Sequence, residues 1–270
     1  MTRPLLTAPF LSPRSPALAD DPIVRSAALV AVVSAVFLAF PGIDLWFTGL
    51  FYDPATGFPM SRLAAFTGLR DVNDLLLSVA VLVMVATVAV KLAWPARPIA
   101  LPPSRIVFLL TTLVLGPGLL VNGIFKSNWG RPRPTMVDAF GGDAPFVEVW
   151  RITDHCARNC SFVSGEASSA IWFVALAVLA PPRWRLPVAK ALLVLAVFLS
   201  LNRVAFGGHF LSDVVLSWGL TVALMAAVYR VTIDAPPAWL TDDSLEGGLA
   251  RLGQRLRGVA SGWSKGERSR

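Results

Sequence analysis

Long apolar runs recur along the chain and alternate with short polar segments. The runs lie at about Val24 to Phe40, Leu75 to Trp94, Ile106 to Phe125, Ala167 to Ala180, Val188 to Phe206, and Leu211 to Ile233. A helix needs about 20 apolar residues to cross the hydrocarbon core of a bilayer, so runs near this length predict membrane spans. The fourth run is short, and we expect its helix to begin within the polar motif before it. The pattern predicts an all-α polytopic membrane protein with six transmembrane helices.

Composition supports this fold class and divides the chain. Of the 270 residues, 55% are hydrophobic and 15% are charged, whereas soluble domains have about 45–50% apolar and about 25% charged residues. A soluble globular enzyme and a disordered chain are therefore excluded. We predict an N-terminal arm (residues 1–22), a six-helix membrane domain (23–233) and a tail (234–270). In the tail, Leu245, Leu249 and Leu252 recur at helical spacing with arginines nearby, which predicts an amphipathic helix lying on anionic lipid.

The distribution of cations predicts the orientation. If the N-terminus is inside, 16 of the 24 lysines and arginines fall on the cytoplasmic side and 8 on the other side. Because cytoplasmic loops carry the excess of Lys and Arg, both termini are predicted to be cytoplasmic. The loops after the first, third and fifth helices then face the periplasm of a bacterial inner membrane. The net charge of +7 is explained by the cytoplasmic loops, and no nucleic-acid partner is expected.

Three polar segments on the predicted outer side carry candidate chemistry. Lys126, Arg131 and Arg133 follow the third run, where they suit either anionic head groups or one phosphate group. Ser164 and Gly165 precede the fourth run, and the start of a helix offers free N–H groups to an anion, although any helix cap looks similar.

The third polar segment contains a histidine and an aspartate. If the sixth helix begins near His209, then His209 and Asp213 share one face, and the carboxylate can orient the imidazole. The alternative is that Asp213 is a helix cap or a buried hydrogen-bond partner.

Together these segments resemble the three-part signature of the type 2 phosphatidic acid phosphatase superfamily, which also includes vanadium haloperoxidases. The first part is Lys126 to Arg133-Pro134, the second Ser164-Gly165, and the third Arg203, His209 and Asp213. The resemblance covers about half of the chain, and all three parts fall on the same side of the predicted topology.

The resemblance implies a helical membrane phosphatase without cofactor or metal ion. It implies His209 as the nucleophile of a phosphohistidine intermediate and Asp213 as the residue that orients it. Lys126, Arg133 and Arg203 would bind the phosphoryl oxygens, with added hydrogen bonds from Ser164 and Gly165. Such a site needs only in-line geometry and fixed cations to stabilise the transferred group.

Two positions depart from the family pattern. Asn202 stands where the family has serine, which keeps a hydrogen-bonding side chain. Glu166 stands where the family has the histidine that protonates the leaving group. Glu166 would be that acid only if burial raised its pKa against the nearby cations. Otherwise it stays ionised, where it holds an arginine or helps to activate water, and the leaving group departs unassisted or is protonated by another group such as His155.

Cys156 and Cys160 lie four residues apart in the outer loop before Ser164. They fit a disulfide, an incomplete metal site with Asp154 and His155, or two free thiols. Because the exported side of a membrane is commonly oxidising, the disulfide is favoured.

A site at the bilayer surface favours an amphiphilic substrate over a soluble one. The candidate substrates are phosphatidic acid, phosphatidylglycerol phosphate, undecaprenyl diphosphate and a phosphate of lipid A. The alternative functions are a phosphotransferase that passes the phosphoryl group between lipids and a catalytically silent lipid-binding protein. The partners expected are therefore the lipid bilayer and a membrane lipid phosphate, with the oligomeric state left open.

Overall fold

The computed structural model describes residues 21–267 and the side chains as far as residue 258. Within this part the chain forms helices and two isolated backbone bridges, without an extended strand. The helices are α1 (Pro22–Ala39), α2 (Gly42–Gly49), α3 (Ala64–Ala93), α4 (Pro103–Asn128), α5 (Gly165–Leu179), α6 (Pro182–Ala205), α7 (Leu211–Asp234) and α8 (Asp242–Glu267). The all-helical class is confirmed. All but the last two residues of the predicted arm, 1–22, lie outside the described residues.

Between residues 21 and 267, five helices are long and apolar enough to cross a membrane, namely α1, α3, α4, α6 and α7. Helix α5 corresponds to the fourth predicted span and is shorter. As expected, it begins inside the polar motif, with Ser164 as its N-cap. After Trp172 it tightens into a 3₁₀-helix over Phe173–Leu179, which rises about 2.0 Å per residue instead of about 1.5 Å and so extends its reach. The count of six spans stays a prediction.

Helix α3 begins at Ala64, well before the predicted Leu75. The apolar pattern breaks over Arg70, Asp71, Asn73 and Asp74, but the helix continues through them towards the candidate site. There Asn73 Nδ2 donates a hydrogen bond to Ser169 Oγ on α5 (3.2 Å). These polar residues extend α3 past its apolar span, which is why a hydrophobicity pattern finds the span and misses the first turns.

Helix α4 changes its winding before it reaches the candidate site. After Leu113 it widens into a π-helical stretch, Val114–Phe125, that contains Pro117. Proline lacks the N–H that an α-helix requires and clashes with the preceding turn, so a change in winding is expected there. Asn122 Nδ2 donates to the Pro117 carbonyl at 2.7 Å. The wide stretch ends at Lys126, which begins the last turn of α4.

Helix α5 lies in the middle of the bundle. Its residues Trp172 and Phe173 are almost fully buried and pack with Leu109 and Leu199 of the neighbouring helices. Trp172 Nε1 donates to Thr112 Oγ1 at 3.0 Å. This bond satisfies the indole N–H, for which lipid tails offer no acceptor. By contrast, the membrane segment of α1 is only 6% buried, so its apolar side chains are suited to contact with lipid.

The two ends of the bundle differ in character. At one end Arg230 pairs with Asp21 (2.6 Å), and Lys91 at the end of α3 pairs with Glu246 of α8 (2.7 Å). Tail helix α8 packs here against the ends of α3 and α4, and Gly253 meets the Leu92 carbonyl so closely that a Cβ would lie 2.5 Å from it. The other end holds α2, the loop between α4 and α5, and the turn between α6 and α7. The candidate site lies at this second end.

Candidate active site

The three sequence motifs meet where α4 ends, α5 begins and α6 turns into α7. Ser164 N donates to the Asp213 carbonyl (3.1 Å), which fixes the start of α5 on the first turn of α7. Two glycines allow the cations to approach the backbone. A Cβ on Gly165 would lie 3.2 Å from Lys126 Nζ, and one on Gly208 would lie 2.8 Å from Arg203 Nη2. The structure therefore brings the predicted residues together around one point.

His209 is 1% exposed and lies just before α7. Its Nδ1 is 2.7 Å from the backbone oxygen of Ser161. A carbonyl oxygen only accepts hydrogen bonds, so Nδ1 carries the proton and Nε2 keeps a free lone pair. Burial lowers the pKa of His209 well below its usual value, and the charges of Lys126, Arg203 and Arg133 lower it further. The side chain is thus a neutral imidazole with an available nucleophilic nitrogen.

Asp213 acts on His209 by a different route from the one that the spacing suggests. Helix α7 begins at Leu211, as the apolar run predicts, and His209 lies two residues before it. The nearest atoms of His209 and Asp213, Nδ1 and Oδ2, are 3.9 Å apart, longer than a hydrogen bond. Asp213 instead accepts from Ser161 Oγ (2.5 Å) and from the Phe210 N–H (2.8 Å). It caps α7 and fixes Ser161, whose carbonyl in turn orients the imidazole.

Arg131 does not join the cations that are predicted to bind phosphate. It is completely buried and contacts carboxylates from two elements, Asp44 of α2 (2.8 Å) and Asp213 of α7 (2.6 Å). Asp44 Oδ1 also accepts from the Ser212 N–H at 2.8 Å. The sequence pattern predicted neither the buried position of Arg131 nor the role of Asp44 as its partner. The available signal was Asp44, an acidic residue four positions after an apolar run, and that signal does not identify its partner.

Arg203 combines an ion pair with unused hydrogen-bond donors. Its Nε lies 2.6 Å from Glu166 Oε2. The N–H direction nevertheless misses the carboxylate, and the buried Nε and Nη1 have no hydrogen-bond acceptor among the described residues. The contact is therefore an ion pair without a hydrogen bond, because a hydrogen bond requires alignment as well as a short distance. A phosphoryl oxygen is a suitable acceptor for these donors.

Arg133 and Lys126 contact one residue of the outer loop. Arg133 donates to the Asn159 carbonyl through Nε (3.0 Å) and Nη2 (2.8 Å). Lys126 Nζ donates to Asn159 Oδ1 at 3.3 Å. Asn159 was not singled out in the sequence, since nothing in its neighbourhood of polar residues marks it.

Ser164 is fully buried, and its Oγ accepts from the Ala167 N–H at 3.2 Å, as an N-cap does. The hydroxyl proton of Ser164 is therefore still available to a phosphoryl oxygen.

Glu166 faces two guanidinium groups, Arg203 at 2.6 Å and Arg70 at 3.5 Å. This is the arrangement of the alternative in which Glu166 holds an arginine. His155 is exposed on the loop surface.

Cys156 and Cys160 are joined by a disulfide. It closes the short loop that contains Asn159 and ends one residue before Ser161. The loop thus connects two residues that contact the site, Asn159 through Lys126 and Arg133, and Ser161 through His209.

Comparison with known proteins places this geometry in a family context. Residues 105–236 match the family model described as the PAP2 superfamily, a range that contains all three motifs. The chain is 40% identical over 211 residues to a lipid A 4'-phosphatase of Rhizobium leguminosarum, covering 73% of this chain and 91% of that protein. Lipid A 4'-phosphatases of Rhizobium etli (36%, covering 73% and 82%) and Francisella tularensis subsp. novicida (36%, covering 66% and 81%) are also similar. No solved structure matches the chain.

Proposed function

The chain belongs to the PAP2 superfamily, and from that premise we propose that it removes the 4'-phosphate of lipid A at the periplasmic face of a bacterial inner membrane. The resemblance drawn from Lys126, Ser164 and His209 is confirmed at the level of the family. The coarser description, an integral membrane lipid phosphatase, follows from the family, the relatives and the apolar helices.

The main support for the proposed mechanism is the protonation and hydrogen bonding of the His209 imidazole. A buried neutral imidazole whose Nδ1–H is held by the Ser161 carbonyl presents Nε2 as a nucleophile. Lys126, Arg133 and Arg203 surround it with positive charge, as their effect on the His209 pKa reflects. Such fixed charges stabilise the equatorial oxygens of a transferred phosphoryl group. In this proposal no metal ion is needed to neutralise them.

The reaction then has two steps. In the first, Nε2 of His209 bonds to phosphorus while the bond from phosphorus to the lipid oxygen breaks, and that oxygen leaves with the electron pair and takes up a proton. In the second, water attacks phosphorus and gives up a proton to the solvent, the electron pair of the N–P bond returns to Nε2, and inorganic phosphate is released. The protonated Nδ1 stays hydrogen-bonded to Ser161 and spreads the positive charge that develops on the ring.

Glu166 serves in this mechanism as a positioning residue. Its carboxylate lies between Arg203 and Arg70, where it is placed to hold the two guanidinium groups. It fixes Arg203 at the phosphate, while the leaving oxygen obtains its proton from water. This role distinguishes the protein from family members with histidine at that position.

The lipid substrate is proposed from the position of the site and from the relatives. The cations lie where α4 and α6 end and α7 begins, so a substrate anchored in the bilayer presents its phosphate at the right level. Three similar proteins, at 36–40% identity, carry the name lipid A 4'-phosphatase. Lipid A is therefore favoured over phosphatidic acid, phosphatidylglycerol phosphate and undecaprenyl diphosphate.

The test is phosphate release by the detergent-purified protein from each of these four lipids, with EDTA present. We expect release from lipid A, retention of the 1-phosphate in the product by mass spectrometry, and no release by His209→Ala. A radiolabelled phosphoryl group on the protein should be stable in alkali and lost in acid, as expected of phosphohistidine. Release only from another lipid would replace the substrate, release that EDTA abolishes would contradict the metal-free mechanism, and an active His209→Ala would contradict the nucleophile.

A further inference from the structure

The loop closed by Cys156 and Cys160 is hydrogen-bonded to Lys126 and Arg133 through Asn159. Both acceptor oxygens of Asn159 are used. Its carbonyl accepts from Nε and Nη2 of Arg133 (3.0 and 2.8 Å), and its Oδ1 accepts from Lys126 Nζ (3.3 Å). One neutral residue thus connects two cations that repel each other.

The direction of the Asn159 carbonyl depends on its backbone. Asn159 has φ +51°, in the left-handed region. Asparagine tolerates this region better than most residues, and glycine adopts it freely. The disulfide joins Cys160, which directly follows Asn159, to Cys156, which lies three residues before Asn159. Closure of the loop therefore limits the backbone conformations that would turn the carbonyl away from Arg133.

The same loop continues into the support of the nucleophile. Ser161, next to Cys160, accepts from His209 Nδ1 through its carbonyl (2.7 Å), and its N–H donates to the Arg131 carbonyl (2.9 Å). Cys160 itself is 1% exposed. One end of the loop is thus anchored in the protein beside His209, and the disulfide is what holds the outer part with Asn159 against it.

These contacts leave donors for a ligand. A guanidinium has five N–H groups and an ammonium has three. The Asn159 carbonyl uses two of the five on Arg133, and Asn159 Oδ1 uses one of the three on Lys126. The remaining donors are then held in fixed directions. Long side chains lose rotamer freedom when they bind a ligand, and prior ordering removes part of that cost.

We propose that Asn159 is a positioning residue of the phosphate site: held by the Cys156–Cys160 disulfide, it orders Lys126 and Arg133 before substrate binds. This inference rests on the proposed function, since it assigns these cations to a substrate phosphate. It makes tight phosphate binding depend on the oxidised state of the loop.

The experiment measures the Kd of inorganic phosphate for the detergent-purified protein by isothermal titration calorimetry, and the KM and kcat for lipid A. Four proteins are compared: the wild type, Asn159→Gly, the double variant Cys156→Ser/Cys160→Ser, and Ala157→Ser as a control within the loop. The wild type is measured before and after dithiothreitol, which transfers two hydrogens to the cysteine pair and becomes a cyclic disulfide. Mass analysis of the thiol state accompanies each measurement.

Asn159→Gly keeps the backbone conformation and loses only the contact to Lys126, so we expect about two- to threefold weaker phosphate binding. Reduction, or the double variant, releases both contacts, and binding should weaken about five- to tenfold, with the change in KM larger than that in kcat. Reoxidation should restore the wild type, the double variant should not respond to dithiothreitol, and Ala157→Ser should behave as the wild type.

An unchanged Kd in reduced wild type and in Asn159→Gly would overturn the inference. Tighter binding after reduction would also overturn it, because Asn159 would then occupy the position of the phosphate. Failure of the proposed function gives a different result, namely a wild type that hydrolyses none of the lipids. The Kd comparison still decides the role of Asn159 in that case, and if the double variant does not fold, reduction and Asn159→Gly are sufficient.

Discussion

At the scale of single residues, Glu166 separates two mechanisms that the sequence leaves open. Its carboxylate pairs with Arg203 at 2.6 Å and with Arg70 at 3.5 Å. Glu166→Gln keeps the shape and removes the charge. If the residue only fixes Arg203, kcat/KM should fall roughly two- to tenfold, mostly through KM. Loss of a proton donor would instead lower kcat by about 10²- to 10⁴-fold.

The measurement for Glu166 is steady-state kinetics on lipid A with Glu166→Gln, Glu166→His and His155→Ala side by side. We expect His155→Ala to keep wild-type kinetics, since His155 is exposed on the loop. A kcat loss beyond about 10²-fold in Glu166→Gln would show that the residue is the acid. A comparable loss in His155→Ala would assign the proton to that loop histidine.

The protonation state of His209 is a second prediction at this scale. Burial and the neighbouring cations hold the pKa of His209 well below 6.5, so the folded protein should keep the imidazole neutral while the pH falls through that value. The chain has two histidines, so ¹⁵N-histidine NMR spectra should show two sets of ring signals, and His155→Gln assigns them. From about pH 7.5 to about pH 6 the His209 signals should remain those of a neutral ring protonated at Nδ1.

Lys126→Met tests whether a nearby positive charge lowers the pKa of His209. Removing a nearby positive charge makes the protonated ring less unfavourable, so the pKa of His209 should rise and its signals should begin to shift at a higher pH than in the wild type. Protonation of His209 near neutral pH in the wild type would contradict the structure.

At the scale of elements, a buried ion triad connects α2, the loop after α4, and α7. Arg131 lies between Asp44 and Asp213, and all three side chains are at most 2% exposed. Asp44→Ala would leave Arg131 with one partner and also remove the acceptor of the Ser212 N–H. Breaking such a buried pair costs about 3–5 kcal/mol. The exposed Asp143→Ala should change stability by no more than about 0.5 kcal/mol.

The measurement for Asp44 is the thermal inactivation half-life in detergent, which reports stability when unfolding is irreversible. Asp44→Ala should inactivate much faster than the wild type, whereas Asp143→Ala should match it. Equal half-lives for Asp44→Ala and the wild type would show that Asp213 alone is sufficient for Arg131.

The sequence predicts the membrane spans and part of the site, whereas the rest of the site depends on how distant segments pack. The apolar runs predict the spans because the bilayer imposes length and hydrophobicity on each helix separately. The motif residues Lys126, Ser164 and His209 are recognised because each belongs to a short motif with a fixed spacing between its own residues. Arg131–Asp44 and Asn159–Lys126 were not predicted, since each joins positions far apart in sequence and depends on how α2 and the disulfide loop pack.

At the scale of the whole molecule, the site and tail helix α8 occupy opposite ends of the bundle. Helix α8 is held to the ends of α3 and α4 by Lys91–Glu246 and by Asp242, which accepts from the Ser104 N–H at 2.8 Å. If the loop cations face the periplasm, α8 must face the cytoplasm. The arginines of α8 between residues 251 and 257 are exposed, as the predicted contact with anionic lipid requires.

The orientation is tested by fusing reporters at two positions. Alkaline phosphatase, which folds only outside the cytoplasm, should be inactive when fused after residue 270, and a fluorescent protein that folds inside should be bright there. When the reporters are inserted in the exposed loop at Asp143, alkaline phosphatase should be active and the fluorescent protein dark, because that loop lies at the same end of the bundle as His209. The charge count predicts this result independently of the family. An active phosphatase fusion at the C-terminus would place the site in the cytoplasm, where a reducing environment would open the Cys156–Cys160 loop and disorder the phosphate site.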